Sequence, residues 1–400
     1  MEHTPTSSTV TSKENVKCRI IRTLEEFIAI RETWNELADH SEYPNIFTTW
    51  EWCSIWWKWF GKEELKGELF LLVFESDDQI VGLFPLYRTH RGKNLRFLGY
   101  GARPSGEYLG PILRKGWTEP VCKAAMAFFQ ENKKEWNSLF FESYALDDPG
   151  TSFFAKKMKE AFPSYCQEDE ERFYITLPET YDSFLRTLSS HNRSKKKNRL
   201  NQAKNKFEAS FCSMMEEPLE VWYSAMVELL KASRDRLNQQ SPYDVKNYYE
   251  FQKELLASLI SLKHVDVSFL KFKELPVAVT YSFIYHGKCY FYQPGYASDV
   301  KGSPGDVSMQ MLVMNMIEKK CTEFDFLRGG EWYKSQYTDT SRKTERLALF
   351  SGKNHCYYTT LFIDRAYRPF RRMVKRLLFG LLGKGTPKEK TEPENKLNDT

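Results

Sequence analysis

Two stretches of this chain, about two hundred residues apart, carry the same succession of apolar runs and turn signals, and that repetition limits its possible folds more than any other feature. Residues 69–75 and 80–88 are apolar runs separated by Ser76-Asp77-Asp78-Gln79, the pattern of an antiparallel hairpin. The same design returns at 267–273 and 277–285, joined by Glu274-Leu275-Pro276, with a further strand at 288–293 after His286-Gly287. Each hairpin leads into a Gly-rich loop (99–110; 295–305), an amphipathic helix (120–131; 307–320) and another apolar strand (138–143; 324–327). Helical patterns at 24–38 and from Trp50 to Gly61 precede the first unit, and 181–209 and 219–233 read as helices joining the two. A length of 400 residues suits two domains. The expected division is a disordered tail 1–17, domains 18–178 and 179–362, a basic amphipathic helix 363–384 and a second disordered tail 385–400.

Composition removes several function classes. A net charge of +5 is small for this length, so bulk electrostatics do not argue for nucleic acid, although positive charge is bunched at 191–206 and 365–382. The eight cysteines form no CxxC and no Cys/His cluster at zinc-ligand spacing, which favours reduced thiols and no metal. Residues 1–15 have no apolar core of a signal sequence, and no stretch reaches the roughly 18 apolar residues of a spanning helix. A cytoplasmic location, with peripheral contact at the inner face of the membrane, is the expectation. No G-x-S-x-G, P-loop or RNA-binding signature is present, and His191, His264, His286 and His355 stand apart from Ser or Asp at motif spacing, against hydrolase and kinase chemistry. The cluster Trp52, Trp56, Trp57 and Trp59 reads as a packed helix face rather than a sugar-stacking platform.

Six segments carry a family likeness: Phe47-Thr-Thr-Trp-Glu-Trp; Val81-Gly-Leu-Phe-Pro-Leu; the loop 104–113 with Tyr108; His191-Asn-Arg-Ser and the basic residues after it; Pro294-Gly-Tyr-Ala-Ser-Asp with Ser303-Pro-Gly; and Phe324-Asp-Phe-Leu-Arg-Gly-Gly-Glu-Trp-Tyr-Lys. In this order, over roughly 18–355, they resemble the double-domain branch of the GNAT acyltransferase superfamily related to Fem-type transferases and CelD-like cellulose-biosynthesis proteins. The resemblance implies an α/β fold of two tandem GNAT-like domains, each a mixed, mostly antiparallel sheet flanked by helices. It also implies transfer of an acyl group, acetyl above all, from acetyl-CoA or another acyl-CoA to an amino or hydroxyl group. The acceptor class it suggests is a small molecule or a cell-envelope saccharide or its precursor. Where simple GNAT enzymes carry Gln/Arg-x-x-Gly-x-Gly/Ala, this chain has Lys301-Gly-Ser-Pro-Gly-Asp-Val. Two other readings stand beside the first. One is a Fem-like transferase using aminoacyl-tRNA, for which no long inserted helical arm is visible. The other is a catalytically degenerate GNAT pair acting as a binding partner in polysaccharide synthesis.

Candidate site residues follow from the chemistry of direct acyl transfer, which needs a base for the acceptor's proton, a donor to the thioester oxygen and an acid for the leaving thiolate. Asp325 or Glu331 can serve as base, and Tyr333 or Lys334 as donor; structural pairing of Asp325 with Arg328 and of Glu331 with Lys334 is the plainer alternative. Arg328, Tyr292 and Tyr108 are candidate substrate contacts. Gly302, Ser303, Pro304, Gly305 and Asp306 directly precede a helix, so their N–H groups are expected at its positive end, where a pyrophosphate binds; an ordinary cap by Ser303 or Asp306 is the alternative. The active groove is accordingly expected in the second half, between 288–293 and 324–327, with residues 303–306 at its donor end. The basic run 191–206 suits a polyanion, namely CoA phosphates, aminoacyl-tRNA or anionic lipid, or else forms a solvated helix face.

In 365–382, Phe370, Met373, Val374, Leu377, Leu378, Leu381 and Leu382 follow helical spacing, while Arg368, Arg371, Arg372, Lys375 and Arg376 fill the opposite side. The segment is too short and too charged to span a bilayer but suits an anionic membrane surface, each basic residue adding about 1 kcal/mol near the headgroups. Packing of the stripe onto the second domain is the competing reading. Liposome flotation separates the two: the full chain is expected to float with anionic vesicles at low salt, and a chain ending at Asp364 is not. Equal behaviour of both leaves only packing.

Overall fold

The computed structural model describes residues 15–236, 238–297, 299–329 and 332–363. The expected basic helix 365–382, most of both tails and Glu331 lie outside the described residues. The first half begins with β1 (Lys17–Ile21) and the helices α1 (Leu24–Ala29), α2 (Arg31–Asp39) and α3 (Trp50–Trp56). Thr23 and Glu26 form a reciprocal capping box at α1, and the Thr49 hydroxyl accepts from Trp52 N–H at α3, so local side chains set both starts. Next come β2 (Glu68–Leu69), β3 (Leu71–Ser76), β4 (Gln79–Phe84), β5 (Leu86–Arg88), β6 (Asn94–Phe97) and β7 (Ile112–Leu113). The expected hairpin is β3–β4, and β2–β5 continues it beyond an irregularity that the Phe70 N–H to Leu86 O bond spans at 3.0 Å. Helix α4 (Thr118–Glu131), β8 (Ser138–Ala145), α5 (Pro149–Ala161) and β9 (Ser164–Glu168) complete this part.

The second half runs from β10 (Arg172–Thr176) through α6 (Tyr181–Thr187), α7 (Ser190–Phe207) and β11 (Ala209–Ser213), then α8 (Leu219–Asp235) and α9 (Lys246–Ser261). The single helix expected at 181–209 is thus two helices. Leu188 is extended, and the Ser189 hydroxyl caps a new start by accepting from Asn192 N–H. Strands β12 (Val265–Phe272), β13 (Leu275–Tyr285) and β14 (Lys288–Tyr296) form the repeated hairpin and its third strand. Helix α10 (Pro304–Glu318), β15 (Glu323–Asp325), β16 (Ser341–Arg342), β17 (Thr344–Phe350) and α11 (His355–Phe362) follow.

The two halves are not closed at residue 178. Strands are ordered β1-β3-β4-β7 and β2-β5-β6-β8-β17-β9 on the first side, and β11-β12-β13-β14-β15-β10-β16 on the second. Strand β17, from the end of the described chain, lies between β8 and β9, with Thr344 opposite Ala145 and Glu345 opposite Glu168. In return β10, which follows β9 directly, crosses to β15, with Tyr174 opposite Asp325. Each sheet therefore lends one strand to the other. At the crossing Arg172 faces Arg342 in the β10–β16 register, and both side chains are buried. Arg172 meets Glu107 at 3.3 Å, Asp169 at 3.0 Å and the Ser143 hydroxyl at 2.9 Å; Arg342 meets Glu323 at 2.7 Å, Asp325 at 3.5 Å and the Tyr43 hydroxyl at 2.6 Å.

One hydrophobic core runs through both halves. Phe47 meets Phe283 and Tyr290 edge-on, and Trp52 meets Phe251 and Phe283 the same way. Trp52, Trp56 and Trp57 are buried, as a packed helix face requires. Removing one member of a buried ion cluster strands its partners. Arg172→Ala is expected to lower unfolding free energy by about 3–5 kcal/mol in urea titration, against less than about 1 kcal/mol for Arg19→Ala, whose pair with Glu75 is solvent-exposed.

Candidate active site

Strands β14 and β15 pair in parallel only from Lys288–Glu323 to Tyr290–Asp325; β14 then continues to Tyr296 along β13 alone. A groove of about 1450 Å³ lies between the two halves beside this end of β14. From the first half it is lined by Arg96, residues 100–105 and Glu142, and from the second by Arg234, residues 239–243, Tyr248, residues 292–294 and Arg328. A fixed polar network forms one wall: Tyr243 donates to Gln293 (2.9 Å), Gln293 donates to Tyr248 (2.8 Å) and Gln252 donates to Tyr292 (3.0 Å). On the other wall the Arg96 guanidinium lies over the rings of Tyr100 and Phe140 at 5.0 and 5.6 Å.

Arg328 reaches this groove because the backbone folds sharply after β15. Leu327 has φ +56° and Gly329 φ +118°, the left-handed region that glycine adopts readily and leucine does not. Lys334 holds that turn. Its buried ammonium donates to the carbonyl oxygens of Leu327, Arg328 and Gly329 at 3.3, 3.0 and 2.8 Å. Arg328 in turn sits among Glu107, Glu142 and Asp169 at 3.3, 3.6 and 3.8 Å. Burial pushes the Glu107 and Glu142 carboxyls above the usual carboxylate range, with Arg328 acting against that in both.

Asp325 stands behind this group rather than in the groove. It is fully buried; Tyr108 donates to both its oxygens (2.9 and 3.1 Å), Leu327 N–H donates at 2.7 Å, and Arg342 lies 3.5 Å away. Burial raises its carboxyl above the ordinary value, against Arg342 and the Leu327 N–H. Tyr108 is itself buried with φ +55°, and Asn45 fastens its loop by donating to the carbonyls of Glu107 and Tyr108 at 3.0 and 3.1 Å.

Of the residues singled out from sequence, Arg328 and Tyr292 line the groove, Tyr108 and Asp325 form a pair beneath it, and Lys334 braces the loop between. Tyr333 is half-buried with its ring 6.3 Å from Phe326. Glu331 is outside the described residues. Two expectations meet a different arrangement in the structure. Asp325 as base is at odds with its burial, since both oxygens already accept hydrogen bonds inside the protein. Residues 302–306 do not line the groove. The Asp306 carboxylate instead faces Lys196 and Arg199, each at 3.1 Å, and accepts from Tyr337 (2.8 Å) and Gln310 (2.9 Å). Although burial acts the other way, Lys196, Tyr337 and Arg199 hold Asp306 below its usual range. An internal carboxylate thus neutralises two cations of the basic helix where a pyrophosphate was expected, and Gly302 fits because a Cβ there would stand 2.6 Å from the Phe207 ring. Glu107, Glu142, Arg172 and Arg342 were not singled out from sequence; a charge inside an otherwise apolar strand, as in Phe140-Phe-Glu-Ser-Tyr, was the available signal. Among the described residues, no group of three or more His, Cys, Asp or Glu is placed to hold a metal ion.

Residues 192–335, which supply Arg328, Tyr292 and the α10 helix, match the family model described as an acetyltransferase (GNAT) domain. This segment is similar to a GNAT domain. No curated protein matches the chain. Solved structures sharing the fold include FemX (TM-score 0.55, 9% identity, covering 80% of this chain and 94% of that one). L-PGS from Bacillus licheniformis is similar at TM-score 0.51 and 13% identity, covering 86% of this chain and 96% of that one. A conserved protein of unknown function from Bacteroides thetaiotaomicron VPI-5482 is similar at TM-score 0.50 and 11% identity, covering 84% and 100%. The architecture is two α/β halves in tandem, and the segment that matches the GNAT family model lies in the second. Among the described residues, no helix is long and apolar enough to cross a membrane.

If Lys334 braces the Arg328 turn, its loss unties that turn. Lys334→Met is expected to leave the three carbonyls without this partner, at about 1–3 kcal/mol for each one left unpaired. Hydrogen exchange at residues 326–329 should accelerate more than in the core strands; unchanged exchange there would show that the turn holds without it.

Proposed function

We propose that this protein is an acyltransferase that moves an acyl group from a CoA-type thioester to an amino or hydroxyl group of an acceptor bound between its two halves. The observation that carries this reading is the GNAT match of the segment that places Arg328 and Tyr292 in the groove. The groove exceeds the roughly 300–1,000 Å³ of an ordinary small-molecule pocket, which leaves room for donor and acceptor together. Arg96, Arg103 and Arg234 give it positive charge suited to the donor's phosphates, a task that the start of α10 performs poorly with Asp306 already in place. Tyr248, Tyr292 and Gln293 offer ring faces and fixed hydrogen-bonding groups of the kind that hold a saccharide. A cell-envelope saccharide or precursor is the acceptor class favoured here.

Transfer by direct attack needs no enzyme nucleophile. The acceptor's lone pair adds to the thioester carbonyl, positive charge or N–H donors steady the oxygen, and the thiolate leaves. Calorimetric titration with acetyl-CoA tests the donor half of the reading. Saturable binding is expected, weakened about tenfold or more in the double variant Arg103→Ala/Arg234→Ala, since a hydrogen bond to a charged group contributes about 1.5–3 kcal/mol. Absence of binding at millimolar acetyl-CoA, together with salt-dependent binding of charged tRNA, would transfer the assignment to aminoacyl transfer.

A further inference from the structure

Acyl transfer in this groove requires a base, and the carboxylates around Arg328 differ in what they can reach. Asp325 is sealed behind Tyr108. Glu107 is buried between Arg172 and Arg328, and Asp169 is bound by Arg172 and Arg346 at 3.0 and 2.7 Å. Among the described residues, Glu142 alone of the carboxylates paired with Arg328 lines the groove. It stands on β8, where side chains alternate: Phe141 and Ser143 turn into the protein, while Phe140 and Glu142 stay partly exposed on the opposite face. Its side chain keeps 19% of its surface. The contact with Arg328 is loose at 3.6 Å, beyond hydrogen-bond range, and the Ser105 hydroxyl donates to the other oxygen at a long 3.4 Å. The carboxylate is therefore oriented by Arg328 and Ser105 without being saturated by them, with the positive charge of Arg346 also acting on it, and it faces the groove.

We propose that Glu142, contributed by the first half, is the general base for acyl transfer on the GNAT domain of the second half. The inference rests on the acyltransferase reading above. As the acceptor's nitrogen or oxygen forms its bond to the thioester carbonyl carbon, its proton passes to the Glu142 carboxylate. The carbon–sulfur bond then breaks with its electron pair on sulfur, and the proton held by Glu142 passes to the thiolate. Acceptor and acyl-CoA become acylated acceptor and free CoA, with Glu142 returned to its starting state. Burial shifts this carboxyl towards neutral pH, where a base transfers protons most effectively. Because the ionised form is the active one, the rate falls as pH drops through that raised value. The catalytic site is then composite: Arg328 comes from the matched domain and the base from across the groove.

The test uses the full chain, acetyl-CoA as donor, a panel of amino sugars and water as acceptors, and thiol release as readout. Glu142→Gln is expected to lower turnover by about 10²–10⁴-fold, the usual range for a general base, with acetyl-CoA affinity within about twofold of wild type. The acidic limb of the wild-type pH–rate profile, set above the usual carboxylate range, should disappear. Formate should partly restore turnover to Glu142→Ala, which a purely structural role would not allow. Wild-type turnover in Glu142→Gln, or a loss that keeps the acidic limb and resists formate, overturns the assignment of the base while leaving acyl transfer intact. A wild type that releases no thiol with any acceptor removes the transfer reading itself, and the base with it.

Discussion

The exchange of strands between the two sheets governs the rest of this structure. Strand β17 completes the first sheet and β10 the second, so neither half has its full set of backbone hydrogen-bond partners by itself. At the crossing two buried arginines stand opposite each other in the strand register, a position that would be untenable without counter-charge. Glu107, Asp169, Glu323 and Asp325 supply it, which explains why acidic side chains converge where apolar ones would otherwise pack. The crossing thereby holds the loop that carries Tyr108 and the end of β15, which lead into the groove-lining residues 100–105 and Arg328.

This arrangement divides the acidic groups by depth. Glu107 and Asp169, bound to the buried Arg172, keep 10% and 5% of their side-chain surface, whereas Glu142, on β8, keeps 19% and lines the groove. Arg328 stands between the two sets, touching Glu107 on one side and Glu142 on the other. The site's electrostatics thus follow from a topological requirement, with Lys334 holding the turn that delivers Arg328 to the boundary.

The start of α10 shows the same economy of charge in a different place. A helix N-terminus attracts an anion, and here Asp306 in its first turn, bound to Lys196 and Arg199, is the anion. The basic run on α7 looks like a surface for a polyanion when read as composition. In the folded protein Lys196 is buried against Asp306 and lies over the Tyr337 ring at 3.2 Å, so part of that charge is internal.

Much of the fold was legible in the residues themselves. Period-two apolar runs broken by Asp77-Asp78 and His286-Gly287 marked the hairpins, helical spacing marked α4 and α10, and the glycines beside Arg328 marked a turn near a site. These signals are local: they report backbone conformation and which side of an element is buried. The partner of a strand is not encoded in its period, so the destinations of Arg172–Thr176 and Thr344–Phe350, far from their sequence neighbours, were decided only by tertiary pairing. The same holds for acid and base chemistry. Asp325 and Glu142 are both single carboxylates in short apolar strands, alike as sequence; depth beneath Tyr108 separates one from the groove, and a strand face turned outward gives the other access to it.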